Sequence, residues 1–229
     1  MNNTEYEFDA AHYREINQVR ECWLNQILPL FPFRNQLVTA LDLGCGAGHF
    51  SKALSDHGFS VTAMDLQESN LEVCRQRYPQ VKFSRIDLDS EAPHGMYDLV
   101  LMFGILYHLQ SPLQTLLRIG KVIGRVGIIE TRVASGHQMA CYLFNEKIGP
   151  AHNLARVTAV PTYPALVSMI KHAGFDHIYR PVFQPDHPQW HLGSNGQRHN
   201  LIISRDPLQV SEWPTVAAEN FLEKWQPIP

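Results

Sequence analysis

Seven residues constrain this chain more than any others: Asp42-Leu-Gly-Cys-Gly-Ala-Gly48. Their glycines recur at every second position, directly after an apolar run at residues 37–43 and directly before a helical pattern at 49–57. Glycine adopts backbone conformations that a Cβ atom forbids, so the chain can reverse tightly here and a ligand can approach the backbone closely. The helix that follows leaves free N–H groups at its start, which favour a negative group. Strand, glycine turn and helix in that order predict an α/β unit with its ligand site at the turn.

The pattern repeats downstream. Residues 59–64, 81–86, 98–103 and 125–133 read as strands, and 69–78 and 113–119 as helices, with short connections between them. Such alternation predicts a parallel, doubly wound sheet. Upstream, Tyr13, Ile16, Val19, Trp23 and Ile27 keep helical spacing, with Asp9 placed to cap that helix and Pro29 and Pro32 beyond its end. Downstream, residues 163–172 read as a helix. Residues 177–183 and 199–204 read as two strands, with Gly193-Ser-Asn-Gly196 as the turn between them. The expected organisation is an N-terminal helical cap at 1–36, a main domain at 37–206 and a tail at 207–229 that packs as a short helix. Residues 134–161 are too many for an ordinary connection and read as an inserted lid. Within it, Met139, Tyr142, Leu143 and Phe144 are candidates to line an apolar pocket.

Two further acids follow strands, Asp65 after the second and Asp87 after the third. A carboxylate at the first of these positions can take both hydroxyls of a ribose. Together with Asp42, Gly44, Gly46 and Gly48, and with the apolar fourth strand that runs into Phe103-Gly-Ile-Leu-Tyr-His-Leu109, they carry a resemblance. The chain resembles the class I S-adenosylmethionine-dependent methyltransferases, over residues 37–132 above all. A dinucleotide-binding dehydrogenase is the nearest rival, but its turn is GxGxxG and it needs no third acid. The resemblance implies a Rossmann-like, seven-stranded, mostly parallel sheet with an antiparallel edge. It also implies S-adenosylmethionine as cofactor. Gly44 and Gly46 would line its methionine end, with Gly48 completing the turn and Asp42 bracing turn and amino group. Asp65 would grip the ribose and Leu66 would lie against the adenine. Asp87 and the Leu88 N–H would meet the adenine edge, and the Phe103 backbone would border the sulfonium.

The acceptor is read from charge and local chemistry. With 19 basic and 22 acidic residues the net charge is −3, and the one basic grouping is Arg75, Arg77, Lys82 and Arg85. A nucleic-acid enzyme usually shows a basic face, so the expectation is a small, apolar or aromatic molecule methylated on oxygen or nitrogen. RNA is the alternative, because Leu106-Tyr-His-Leu109 is similar to stretches in the wobble-uridine tRNA methyltransferase group. A non-catalytic cofactor-binding protein is a third reading. His108 is the candidate general base, since imidazole accepts a proton near neutral pH, and Tyr107 is the candidate for orienting the acceptor. His187, His191 and His199 invite a metal reading, but no helix fixes their spacing, and no metal is expected. Four scattered cysteines without a CxxC pair, a polar N-terminus and no long apolar run predict a cytoplasmic, non-membrane protein. The oligomeric state stays open.

Overall fold

The computed structural model describes residues 7–145, 157–191 and 197–216. Helix α1 (Ala11–Ile27) buries Ile16, Arg20, Trp23, Leu24 and Ile27, which share one face at helical spacing. Asp9 does not cap it. The N-cap is Ala10, which offers no side-chain hydrogen bond, and Asp9 instead pairs with Arg77 at 2.6 Å. The α/β alternation then runs β1 (Thr39–Leu43), α2 (His49–Asp56), β2 (Ser60–Asp65), α3 (Glu68–Arg77), β3 (Lys82–Arg85), β4 (Tyr97–Phe103), α4 (Pro112–Ile119) and β5 (Ile123–Arg132). Next come β6 (Cys141–Asn145), β7 (Val157–Pro161), α5 (Tyr163–His172), β8 (His177–Tyr179) and β9 (Arg198–Ser204).

The main sheet has seven strands in the order β3-β2-β1-β4-β5-β9-β8. The first five are parallel, and β9 runs antiparallel to both β5 and β8. This is the expected doubly wound sheet with an antiparallel edge. Its central strands are apolar on both faces because helices cover both. Leu99, Leu101 and Ile128 pack on the α1 side, and Leu41, Val100, Met102 and Ile129 on the side of α4 and α5. Strand order reverses between β1 and β4, and in open α/β sheets the crevice beyond the carboxyl ends at such a point receives the ligand.

Two details differ from the sequence expectation. The strand read at 177–183 stops at Tyr179, and a short 3₁₀ turn at Pro188–Trp190 occupies the connection to β9. The expected turn at 193–196 and most of the tail lie outside the described residues. In the described part of the tail, Trp213 is buried against Phe31, ring centroids 4.9 Å apart, without forming a helix. Of residues 134–161, β6 and β7 form a separate two-stranded ribbon. Ala159 N–H donates to Leu109 O at 2.9 Å and fastens the ribbon to the loop beyond β4.

Candidate active site

The turn after β1 uses its glycines in the left-handed region, with φ of +70° at Gly44, +51° at Gly46 and +80° at Gly48. The Gly44 and Cys45 N–H groups donate to Met64 O of β2 at 2.8 and 3.0 Å. Asp65 completes the lock: one carboxylate oxygen accepts from Gly46 N–H at 2.9 Å, the other from Gln67 N–H at 2.9 Å and Asn70 Nδ2 at 3.2 Å. A Cβ on Gly46 would stand 2.9 Å from the Phe8 ring, so the turn is closely covered from the N-terminal side. Beneath the turn, Asp42 is buried and accepts from Ser51 Oγ at 2.6 Å. Burial pushes its carboxyl up to about 7 despite that hydrogen bond.

A cavity of about 880 Å³ opens at the carboxyl ends of the strands. That is near the top of the roughly 300–1,000 Å³ typical of small-molecule sites. Gly44, Gly46, Asp65, Leu66, Asp87 and Leu88 line it from the ends of β1 to β3. Tyr107, His108, Arg132 and Arg198 line it from the β4, β5 and β9 side, with Phe103 and Gly104 between the two groups. Asp42 and Gly48 do not reach the cavity wall. The Phe103 ring turns away into the core, 4.9 Å from Phe50, so its backbone is what the cavity can use. Phe8 and Tyr13 from the N-terminal elements, and Tyr142 and Phe144 from β6, cover the space. Met139 and Leu143 are exposed and stand outside it.

The β5 side holds a charge network that the sequence reading did not single out. Glu130 is fully buried and divides its carboxylate between two arginines, Arg20 from α1 at 2.7 Å and Arg198 from β9 at 2.8 Å. Burial alone would push this carboxyl up, but the two guanidinium groups outweigh it and hold the pKa below the ordinary value. Arg198 Nη2 also donates to the Tyr107 hydroxyl at 3.3 Å. Burial pushes the Tyr107 phenol up as well, but Arg198, His108 and Arg20 bring it down to about 7. Tyr13, in the same cavity, is pushed up by burial to about 12. The Tyr107 and His108 rings lie 4.1 Å apart. A signal was present in the sequence: Arg20 interrupts the apolar stripe of α1, and Glu130 ends an apolar run in a buried strand. Buried charges are rare unless paired.

The three histidines considered for a metal have separate surroundings. His187 Nδ1 accepts from Gln189 N–H at 3.2 Å, and His191 is exposed beside Asp186. His199 is buried 4.6 Å from the Tyr163 ring, with burial pulling it down to about 4. Among the described residues no group of three His, Cys, Asp or Glu could hold a metal ion. No helix among them is long and apolar enough to cross a membrane.

The pattern of the methyltransferase domain family matches residues 41–130, from the middle of β1 to Glu130. Over those residues the chain is similar to methyltransferase domains. The match holds the glycine turn, Asp65, Asp87 and the Tyr107-His108 pair. Curated relatives include tRNA U34 carboxymethyltransferases from Mannheimia succiniciproducens (26% identical over 164 residues, 67% of this chain and 50% of that protein) and Shewanella frigidimarina (29% over 158 residues, 64% and 46%). The chain thus spans about half the length of the curated relatives it matches. In solved structures the fold recurs in the N-terminal domain of EvdMO1 with S-adenosylhomocysteine bound (TM-score 0.69, 18% identity, 86% of this chain and 85% of that one). It recurs also in the glycopeptide N-methyltransferase MtfA complexed with S-adenosylmethionine (TM-score 0.59, 14% identity, 82% and 87%). The chain therefore has the Rossmann-like fold of these structures.

Proposed function

We propose that this protein transfers a methyl group from S-adenosylmethionine to an oxygen or nitrogen of a small molecule. The observation that carries the reading is the turn itself, three left-handed glycines of which Gly46 is tied to Asp65 at the wall of the cavity. The cofactor fits the residues present. Gly44 and Gly46 line the cavity with bare backbone, and the cavity holds acids at both positions where a ribose and an adenine edge are bound in this fold. When bound, S-adenosylmethionine supplies a methyl group already activated for in-line displacement. Asp65 would hold the ribose hydroxyls, Leu66 would lie against the adenine, Asp87 would accept from its amino group and the Leu88 N–H would face a ring nitrogen. Gly44 and Gly46 admit the methionine end, with Asp42 bracing the turn from below. Phe103 and Gly104 present backbone beside the reacting carbon.

The remaining residues align the acceptor and exclude water. Phe8, Tyr142 and Phe144 cover the cavity, and in this reading residues 134–161 act as its lid. His108 removes the acceptor proton, and Tyr107 orients the acceptor through its hydroxyl. His108→Asn is expected to leave cofactor affinity near the parent value and to lower turnover by about 10²–10⁴-fold. Unchanged turnover would leave alignment as the whole of the catalysis. A second reading, RNA as acceptor, draws support from the names of the curated relatives. The size of the cavity and the net charge of −3 favour the small molecule. Salt-sensitive retention of tRNA by the purified protein would reverse that order.

The first test is thermal denaturation with S-adenosylhomocysteine. At about 100-fold above the dissociation constant the stabilisation should reach ~2.7 kcal/mol. Asp65→Ala should abolish most of it. A larger shift with NADH, or an undiminished shift in the variant, would overturn the assignment of the cofactor site.

A further inference from the structure

Strands β5 and β9 pair with Arg132 directly opposite Arg198. Like charges directly opposite across an antiparallel pair destabilise the sheet. Glu130, two residues back on the same face, does not relieve this pair. Its oxygens are committed to Arg198 and to Arg20. Among the described residues Arg132 has no carboxylate partner. Its guanidinium lies exposed on the cavity wall, 5.4 Å from the Tyr107 ring, and Arg198 approaches the same ring at 5.3 Å. Three arginines thus stand against one carboxylate on this side of the cavity. The cavity's acids, Asp65 and Asp87, belong to the opposite side. Arg198, His108 and Arg20 hold the neighbouring Tyr107 phenol below its ordinary value against the opposing effect of burial.

We infer that Arg132, with the Tyr107 hydroxyl and the adjoining face of Arg198, receives an acidic group, a carboxylate or a phosphate monoester, carried by the methyl acceptor. The acceptor's apolar or aromatic body lies against Phe8, Tyr13, Tyr142 and Phe144. The inference rests on the small-molecule methyltransferase reading and narrows its substrate class to acids. An anion there cancels the cross-strand repulsion between the arginines, and bidentate guanidinium contacts fix the register of the acceptor. Because the rest of the cavity is largely apolar, the acid end decides which way round the acceptor lies.

The test uses the full chain saturated with S-adenosylhomocysteine, and para-hydroxybenzoate and phenyl phosphate as acidic probes. The neutral para-hydroxybenzamide serves as control. Calorimetric titration should show at least one acid binding about tenfold or more tighter than the amide, the loss expected when a charge-assisted contact is missing. The two acids separate a carboxylate from a phosphate site. Binding should also raise the Tyr107 pKa, so the phenolate absorbance seen at mildly alkaline pH should fall as the acid is added. Arg132→Leu should weaken the acid about tenfold, leave S-adenosylhomocysteine affinity unchanged and not lower thermal stability, since it relieves a repulsion. Arg132→Lys should keep part of the acid affinity. Equal binding of amide and acids, no binding of either acid, or loss of cofactor affinity in Arg132→Leu would each overturn the inference. Failure of the parent protein to bind S-adenosylhomocysteine is a different result, and it would sink the functional reading itself.

Discussion

Glu130→Gln should lower the unfolding free energy by about 3–5 kcal/mol, the cost of removing one partner from a buried charge pair. The carboxylate has no solvent exposure and serves Arg20 and Arg198 at once, both of them buried. An amide of the same shape can present its oxygen to only one guanidinium, and its NH₂ then faces the other. Besides Glu130, Arg20 donates to Asn17 Oδ1 at 3.0 Å, a neutral acceptor that cannot replace the carboxylate's charge, and its Nε has no hydrogen-bond partner. The loss also reaches beyond the site. Arg20 belongs to α1 and Arg198 to β9, and Glu130 ties these distant elements to the central sheet. Urea denaturation of parent and variant measures the effect. A loss below about 1 kcal/mol, the scale of a solvated surface pair, would mean that water reaches this network.

Tyr107 should ionise about three pH units below an ordinary tyrosine, with a phenolate absorbance step near pH 7 that Tyr107→Phe removes. The cause is local: Arg198, His108 and Arg20 favour the charged form by more than burial opposes it. The consequence for stability has a definite sign. In the folded protein the phenol loses its proton near pH 7, and in the unfolded chain near pH 10. Between those values the unfolded state holds more protons, so stability rises with pH. The gain reaches at most ~4 kcal/mol, counted at about 1.4 kcal/mol per pH unit. It is fully present above about pH 10 and is lost as the pH falls through about 7. Tyr107→Phe should therefore flatten the dependence of the unfolding free energy on pH across this window. A parent protein whose eight tyrosines all ionise near pH 10 would show that the arginines do not face the phenol as described.

The fold was legible in the chain because its main signals are local. An apolar run before Gly44, left-handed glycines where the turn must reverse, and acids at Asp65 and Asp87 are read along a few residues at a time. So is the alternation of strands and helices up to β5. The same holds for the Tyr107-His108 pair, which sits just past the end of a strand and so at the crevice. Where reading failed, a tertiary contact outbid a local preference. Asp9 is well placed to cap α1, yet it goes to Arg77 of α3, which folding brings beside it. Residues 177–183 have strand character throughout, yet the strand ends at Tyr179. Beyond it, Arg180 and Val182 donate their backbone N–H groups to Pro214 and Glu212 of the chain's last described segment.

By itself the sequence determined the doubly wound sheet, the position of the ligand crevice and the residues of the glycine turn, since each follows from backbone geometry and hydrophobic periodicity within short windows. Only the tertiary structure decided the electrostatic character of the cavity on the side of β5 and β9. Arg20, Glu130, Arg132 and Arg198 are spread from the first helix to the last strand. Nothing in their local spacing says that they meet, that Glu130 can satisfy two of the arginines but not the third, or that both cross-strand arginines approach the Tyr107 ring. Charge interactions depend on distance in space and on exclusion of water, and both are set only when the sheet closes and α1 packs across it.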